Sequence, residues 1–154
     1  TMCLVLIAWR VHPRYPLIVA ANRDEFYARP TLPAQRWPGD SGMIAGKDLE
    51  AGGSWMGVDA SGRFAAVTNF RELEQGPADA RSRGGLVTDY LLSDAPAESY
   101  LAELAERADQ NRGYNLLLTD GGELYCASNR GAPIRNLPPG VHGVCNGPLD
   151  SDWP

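Results

Sequence analysis

Two short apolar runs open the chain. Residues 3–9 (CLVLIAW) and 17–21 (LIVAA) each have strand length, and the turn-forming His12-Pro13-Arg14-Tyr15-Pro16 separates them. Neither run alternates with polar residues, which predicts a hairpin covered on both faces. Asn22-Arg23-Asp24-Glu25 follows at the end of the second run. Residues 26–42 hold Pro30, Pro33 and Pro38 and predict a long ordered loop, of the kind that often carries function. Gly52-Gly53-Ser54 then precedes Trp55-Met56-Gly57-Val58-Asp59, the turn Ala60-Ser61-Gly62 and residues 63–69 (RFAAVTN), a second hairpin pattern.

Residues 72–85 are polar and read as a loop. The period then changes from two to 3.6. Leu86, Val87, Tyr90 and Leu91 have helical spacing within residues 85–92. A second helix is expected from Pro96 to about residue 108, with Tyr100, Leu101, Leu104 and Ala108 on one face and Asp94 or Ala95 as its N-cap. Residues 114–119 (YNLLLT), the turn Asp120-Gly121-Gly122 and residues 123–129 (ELYCASN) form a third hairpin pattern, and residues 140–146 (GVHGVCN) a last short strand. Strands, then a helical pair, then strands predict a single α+β domain over residues 1–154 rather than alternating βαβ units.

Composition narrows the partners. The 154 residues carry a formal charge of −5 with 44% hydrophobic residues, a globular profile. A nucleic-acid partner would favour a basic face, so none is expected. Residues 4–9 form the longest apolar run, too short to span a bilayer and without the basic leader or cleavage site of a secretory signal. The three cysteines, Cys3, Cys126 and Cys145, lack CxxC spacing and fit a reducing, cytoplasmic setting. His12 and His142 lie near turns without metal-ligand spacing, so no metal or other cofactor is implied, and both are read as surface or loop residues. Cys126, in a strand interior, is expected in the core, and the four tryptophans, Trp9, Trp37, Trp55 and Trp153, in the core or along a cleft. The chain stops after a turn-rich stretch, which fits a piece of a longer protein.

The position of Cys3 bears on chemistry. Thr1 precedes Met2 and is read as an addition ahead of the natural start. Removal of Met2 would leave Cys3 with both a thiol and a free α-amine. That amine has a reference pKa of about 7.7–8.0, so it can act as base for its own side chain. Taken alone, Cys3 fits better as a small hydrophobe opening a buried strand. A hairpin of this length returns residue 23 beside residue 3. Arg23 there would favour the thiolate, and Asp24 would accept a hydrogen bond from the amine; a surface ion pair explains the two just as well. Asn69 and Asn146 each end a strand, where a neutral amide can donate to an oxyanion or simply make a turn. No P-loop, GxGxxG, HExxH or GxSxG is present.

Several segments together carry a family resemblance. They are Met2-Cys3, residues 20–30 (AANRDEFYARP), residues 52–57 (GGSWMG), residues 65–70 (AAVTNF), Tyr114-Asn115-Leu116-Leu117, Gly131, residues 143–146 (GVCN) and Trp153-Pro154. The chain resembles the NRDE family, also called the transport and Golgi organisation family, over its whole length. The resemblance implies an N-terminal nucleophile (Ntn) hydrolase-like fold, a four-layer αββα sandwich with antiparallel sheets, of which the N-terminal part is present here. It implies similarity to cysteine amide hydrolases, with Cys3 as nucleophile and base, Arg23 and Asp24 as its supports, and Asn69 and Asn146 as oxyanion donors. The expected reaction is cleavage of a non-peptide C–N bond in a small-molecule substrate. The alternative is a non-catalytic carrier of a hydrophobic ligand such as haem, lipid or acyl-CoA.

Overall fold

The two sheets of this chain differ in size and share one apolar interface. In the computed structural model, which describes residues 2–39, 42–72, 79–130 and 134–152, the elements run β1 (Leu4–Trp9), β2 (Leu17–Asn22), β3 (Thr31–Arg36), β4 (Ile44–Asp48), β5 (Met56–Val58), β6 (Phe64–Asn69), α1 (Gly84–Leu92), α2 (Ala97–Glu106), β7 (Tyr114–Thr119), β8 (Leu124–Ser128), β9 (Arg135–Leu137) and β10 (Gly140–Val144). A single 3-10 turn (Ala108–Gln110) follows α2. Thr1, Gly131, Trp153, Pro154 and parts of the two loops read at 26–42 and 72–85 lie outside the described residues. The fold class is α+β, with antiparallel pairing between all the named strands. Strands β3 to β9 form a seven-stranded meander in chain order, and β10-β1-β2 form a three-stranded sheet.

The alternation within the strands explains the layering. One face of the large sheet, through Ala65, Val67, Leu116 and Leu118, packs on Val87, Leu91, Tyr100 and Leu101 of the helices. Its other face, through Phe64, Ala66, Leu117 and Leu124, meets Val5, Ile7, Trp9 and Val144 of the small sheet. The order is therefore helices, large sheet, small sheet. The second helical layer of the expected sandwich has no counterpart among the described residues.

Several expectations need correction. The first hairpin is not covered on both faces: β1 alternates in burial, leaving Leu6 44%, Ile18 41% and Val141 72% exposed on the outer face of the small sheet. Residues 31–36 are a strand, not loop. Strand β3 tolerates Pro33 because it is an exposed edge strand whose register with β4 shifts between Leu32 and Gln35, where no amide hydrogen is needed. Strands β4 and β9 are additional, and β10 ends at Val144. Neither Asp94 nor Ala95 caps α2. Pro96 holds the N-cap position, and the Asp120 carboxylate accepts from Ala97 N at 3.1 Å. His142 lies in β10, bonded to Asp150 at 3.0 Å and to Pro138 O at 2.9 Å. Cys126 and Trp9 are core residues, and Trp37 and Trp55 pack against the core.

Candidate functional site

Strand pairing brings the two halves of the candidate site together. The β1–β2 register aligns Leu4 with Asn22, so the chain before β1 runs beside the residues after β2. Cys3, Arg23, Asp24 and Asn69 all line one cavity of about 440 Å³. Asn146 is not on its wall. It is 5% exposed and sits behind the site, where its Oδ1 accepts from Cys3 N at 3.1 Å and its Nδ2 donates to Asn69 O at 2.7 Å. Both ends of this amide are thus engaged in positioning the nucleophile candidate and the end of β6. A buried set of bonds fixes Asn146 in turn. Thr68 Oγ1 donates to Cys145 O at 2.6 Å, Asn115 Nδ2 donates to Gly147 O at 2.8 Å, and Arg71 N donates to Asn146 O at 2.7 Å. These tie the large sheet to the end of β10, so the sheet interface itself holds the site.

The Asn69 side chain is different. It is exposed at the end of β6, faces the cavity, and makes no hydrogen bond among the described residues. Its amide is free to donate to a ligand. Asp24 Oδ2 accepts from Met2 N at 2.8 Å, and Asn22 Nδ2 donates to Met2 O at 3.3 Å. The peptide preceding Cys3 therefore occupies the carboxylate expected to hold the amine.

Electrostatics modify the expectation for the thiol. Burial pushes Cys3 above its ordinary value; the Asp24 amide and Arg23 pull it down without cancelling that effect. Arg23 divides its charge, lying 3.6 Å from both Glu25 and Asp48. Asp48 also binds Arg29 Nε at 2.7 Å and accepts from the amides of Glu50 and Ala51. Burial opposes ionisation of Asp48, and the Arg29 bond and these amides override it, holding the carboxyl below its usual range. Cys145, with its thiol donating to Cys3 O at 3.1 Å, is packed directly against the site.

The match with known proteins covers all of these residues. The family model for Transport and Golgi organisation 2 matches residues 2–154. The chain belongs to the Transport and Golgi organisation 2 family. The mouse Transport and Golgi organization 2 homolog is 38% identical over 165 residues, covering 99% of this chain and 59% of that protein. The human homolog is 36% identical over the same shares, and the Drosophila melanogaster protein 31% over 95% of this chain and 55% of its own length. The chain thus spans less than two thirds of the curated family members it matches.

Further residues of this family member line the cavity without having been singled out in the sequence: Arg29, Asp48, Arg81, Arg83 and Arg112. Arg29 falls inside the AANRDEFYARP string, which is the one signal that pointed to it. Nothing local marks Asp48 or Arg112. Trp55 lines this cavity and also an apolar slot of about 520 Å³ between the edges of the two sheets, lined further by Leu17, Val19, Leu32, Met56 and Phe64. No helix among the described residues is long and apolar enough to cross a membrane.

Proposed function

We propose that this chain is the N-terminal part of an Ntn-type cysteine amide hydrolase built on a four-layer αββα sandwich. The observation that carries the reading is the convergence of Cys3, Arg23, Asp24 and Asn69 on one cavity, with Asn146 holding the Cys3 nitrogen. Catalysis requires Cys3 to be the first residue. Its α-amine then takes the thiol proton, and the sulfur attacks the amide carbonyl carbon. The carbonyl oxygen becomes an oxyanion that Asn69 Nδ2 stabilises, with Asn146 supporting both partners from behind. Collapse breaks the C–N bond. The leaving amine takes the proton from the α-ammonium, and a thioester to Cys3 remains. Water, deprotonated by the same α-amine, attacks the thioester; the acid departs and the thiol is restored. Arg23 favours the thiolate, and Asp24, released from Met2, orients the amine.

The apolar slot beside Trp55 supports a substrate with a hydrophobic acyl half. The same slot favours the second reading, a carrier for a hydrophobic ligand in which Cys3 does no chemistry. Three unpaired thiols accord with a cytoplasmic setting for either.

The test compares full-length protein beginning at Cys3 with protein retaining Met2. An electrophilic acyl probe is expected to label Cys3 in the first at least about tenfold faster than in the second, and faster than Cys126 in both. Equal labelling of Cys3 and Cys126, or no effect of Met2, would leave the carrier reading.

A further inference from the structure

The walls of the Cys3 cavity are unequal in charge. Of its lining acids, Glu25 and Asp48 pair with Arg23 and Arg29 at 2.7–3.6 Å, and Asp24 accepts from Met2 N at 2.8 Å. Another part of its wall carries Arg81, Arg83 and Arg112, which no lining carboxylate pairs with. Among the described residues, none of these three arginines forms an ion pair. The acid whose charge acts on Arg83 is Glu72, and it is already engaged, by Arg130 Nε at 2.6 Å and by Gly113 N at 2.8 Å.

Backbone structure fixes this wall. Arg81 bridges to Asn111, the residue before Arg112, through Arg81 N to Gln110 O at 2.9 Å and Asn111 Nδ2 to Arg81 O at 3.1 Å. Arg83 Nε donates to Gly113 O at 2.8 Å, and the same carbonyl accepts from Phe70 N at 2.9 Å. The guanidinium of Arg83 is thereby anchored one residue beyond Asn69. Burial lowers its pKa; the charge of Glu72 opposes that, and the neighbouring charges of Arg112 and Arg130 add to the lowering. Three arginines thus line one cavity, one of them anchored through Nε and none in an ion pair among the described residues, which leaves their charge available to an anion.

We propose that Arg81, Arg83 and Arg112 form an anion subsite that binds an oxyanion group, carboxylate or phosphate, on the part of the substrate remote from the acyl chain. This rests on the amide-hydrolase reading for the identity of the molecule as a substrate, but the anion recognition stands on the charge distribution alone. With the acyl half in the Trp55 slot and the anion next to Asn69, the amide bond of an N-acylated amino acid or N-acylated phosphoamine would span the region of Cys3.

The test measures binding by calorimetry to full-length protein carrying Cys3→Ala, which cannot turn the probes over. The probes are decanoyl-glycine, the uncharged decanoyl-glycinamide and decanoyl-phosphoethanolamine. An anionic probe is expected to bind about tenfold or more tightly than the neutral one, the scale of one charge-assisted contact. The preference should shrink with added salt, because Arg81 and Arg112 are exposed. The double variant Arg81→Gln/Arg112→Gln removes side chains without ion pairs and is expected to bring the ratio to near one. Preference for glycine over phosphoethanolamine identifies a carboxylate site, and the reverse a phosphate site. Equal binding of charged and neutral probes, a ratio untouched by the double variant, or no binding of any probe overturns the proposal. Failure of the hydrolase reading appears separately, as an anion preference that persists in protein whose Cys3 resists acylation.

Discussion

The side chain of Asn146 joins Cys3 to Asn69, accepting from Cys3 N at 3.1 Å and donating to Asn69 O at 2.7 Å. This buried amide is therefore a positioning residue acting on both the nucleophile candidate and the amide donor. Asn146→Ala leaves two backbone groups without their partners and is expected to cost about 1–3 kcal/mol in urea denaturation. The Cys3 acylation rate should fall with it. Asn146→Asp retains an acceptor for Cys3 N but cannot donate to Asn69 O and places a carboxylate against that carbonyl. It should be no more stable than the alanine variant. Wild-type stability in either variant would show that the two bonds are not what holds the site.

The position of the Cys3 thiol sets a pH profile. Only the thiolate alkylates, and burial holds the group above its ordinary value while Met2 is attached. Iodoacetamide modification of Cys3 should therefore be slower at pH 7 than that of an exposed thiol, and should still be rising with pH where an exposed thiol has levelled off. Arg23 pulls toward the thiolate, so Arg23→Gln should move the midpoint further up. A midpoint below that of a free cysteine in the Met2-bearing protein would contradict this balance.

Asp48 links the loop after β4 to the arginines of the site. Its carboxyl is held below the ordinary range, so its contribution is present above the unfolded pKa of about 4 and is lost as pH falls through the lower folded value. Asp48→Asn can still accept from the amides of Glu50 and Ala51 but loses the charge that pairs with Arg29 and Arg23. The expected loss is on the order of 1 kcal/mol at pH 7, kept small by partial exposure of the pairs. The difference from wild type should close as the pH approaches about 2, read from urea curves across the acid range.

Adjacent glycines separate close packing from backbone conformation. A Cβ on Gly53 would lie 2.5 Å from Gly84 C and 2.7 Å from its O, so α1 would have to move away from the cavity. A Cβ on Gly52 meets nothing within 4 Å, but its φ of +80° strains any other residue. Gly53→Ala is expected to destabilise by about 1–3 kcal/mol and Gly52→Ala by roughly 1 kcal/mol, measured by thermal unfolding. Equal small effects would mean that the contact between Gly53 and the start of α1 gives way without resistance.

Much of the fold was legible where period and turn chemistry agreed. The β5–β6 and β7–β8 hairpins and both helices follow directly from alternating or 3.6-residue spacing between glycine-rich turns. Strand β3 was hidden because Pro33 argues against a ladder, and only the register shift with β4 makes it admissible. The open outer face of β1 was hidden for another reason: Leu6 and Ile18 are as apolar as their buried neighbours, so hydropathy cannot assign them a face. At the site, Cys3, Arg23, Asp24 and Asn69 could be singled out because each falls at a strand end. Arg81 and Arg112 stand 31 positions apart in loops, and only the bridge between Arg81 and Asn111 brings them to one wall.

Asn69 gives the sharpest separation between structure and chemistry. Its backbone oxygen is tied to Asn146, while its side chain has no hydrogen-bond partner among the described residues and faces the cavity. Removing that side chain takes nothing from the packed fold, so Asn69→Ala should shift stability by less than about 0.5 kcal/mol. If its amide meets the developing oxyanion, the same variant should lower the Cys3 acylation rate by about 100-fold or more, the usual cost of losing one such donor. Asn69→Asp, which replaces the donor with a negative charge, should be at least as slow. A stable Asn69→Ala protein that acylates at the wild-type rate would remove Asn69 from the chemistry.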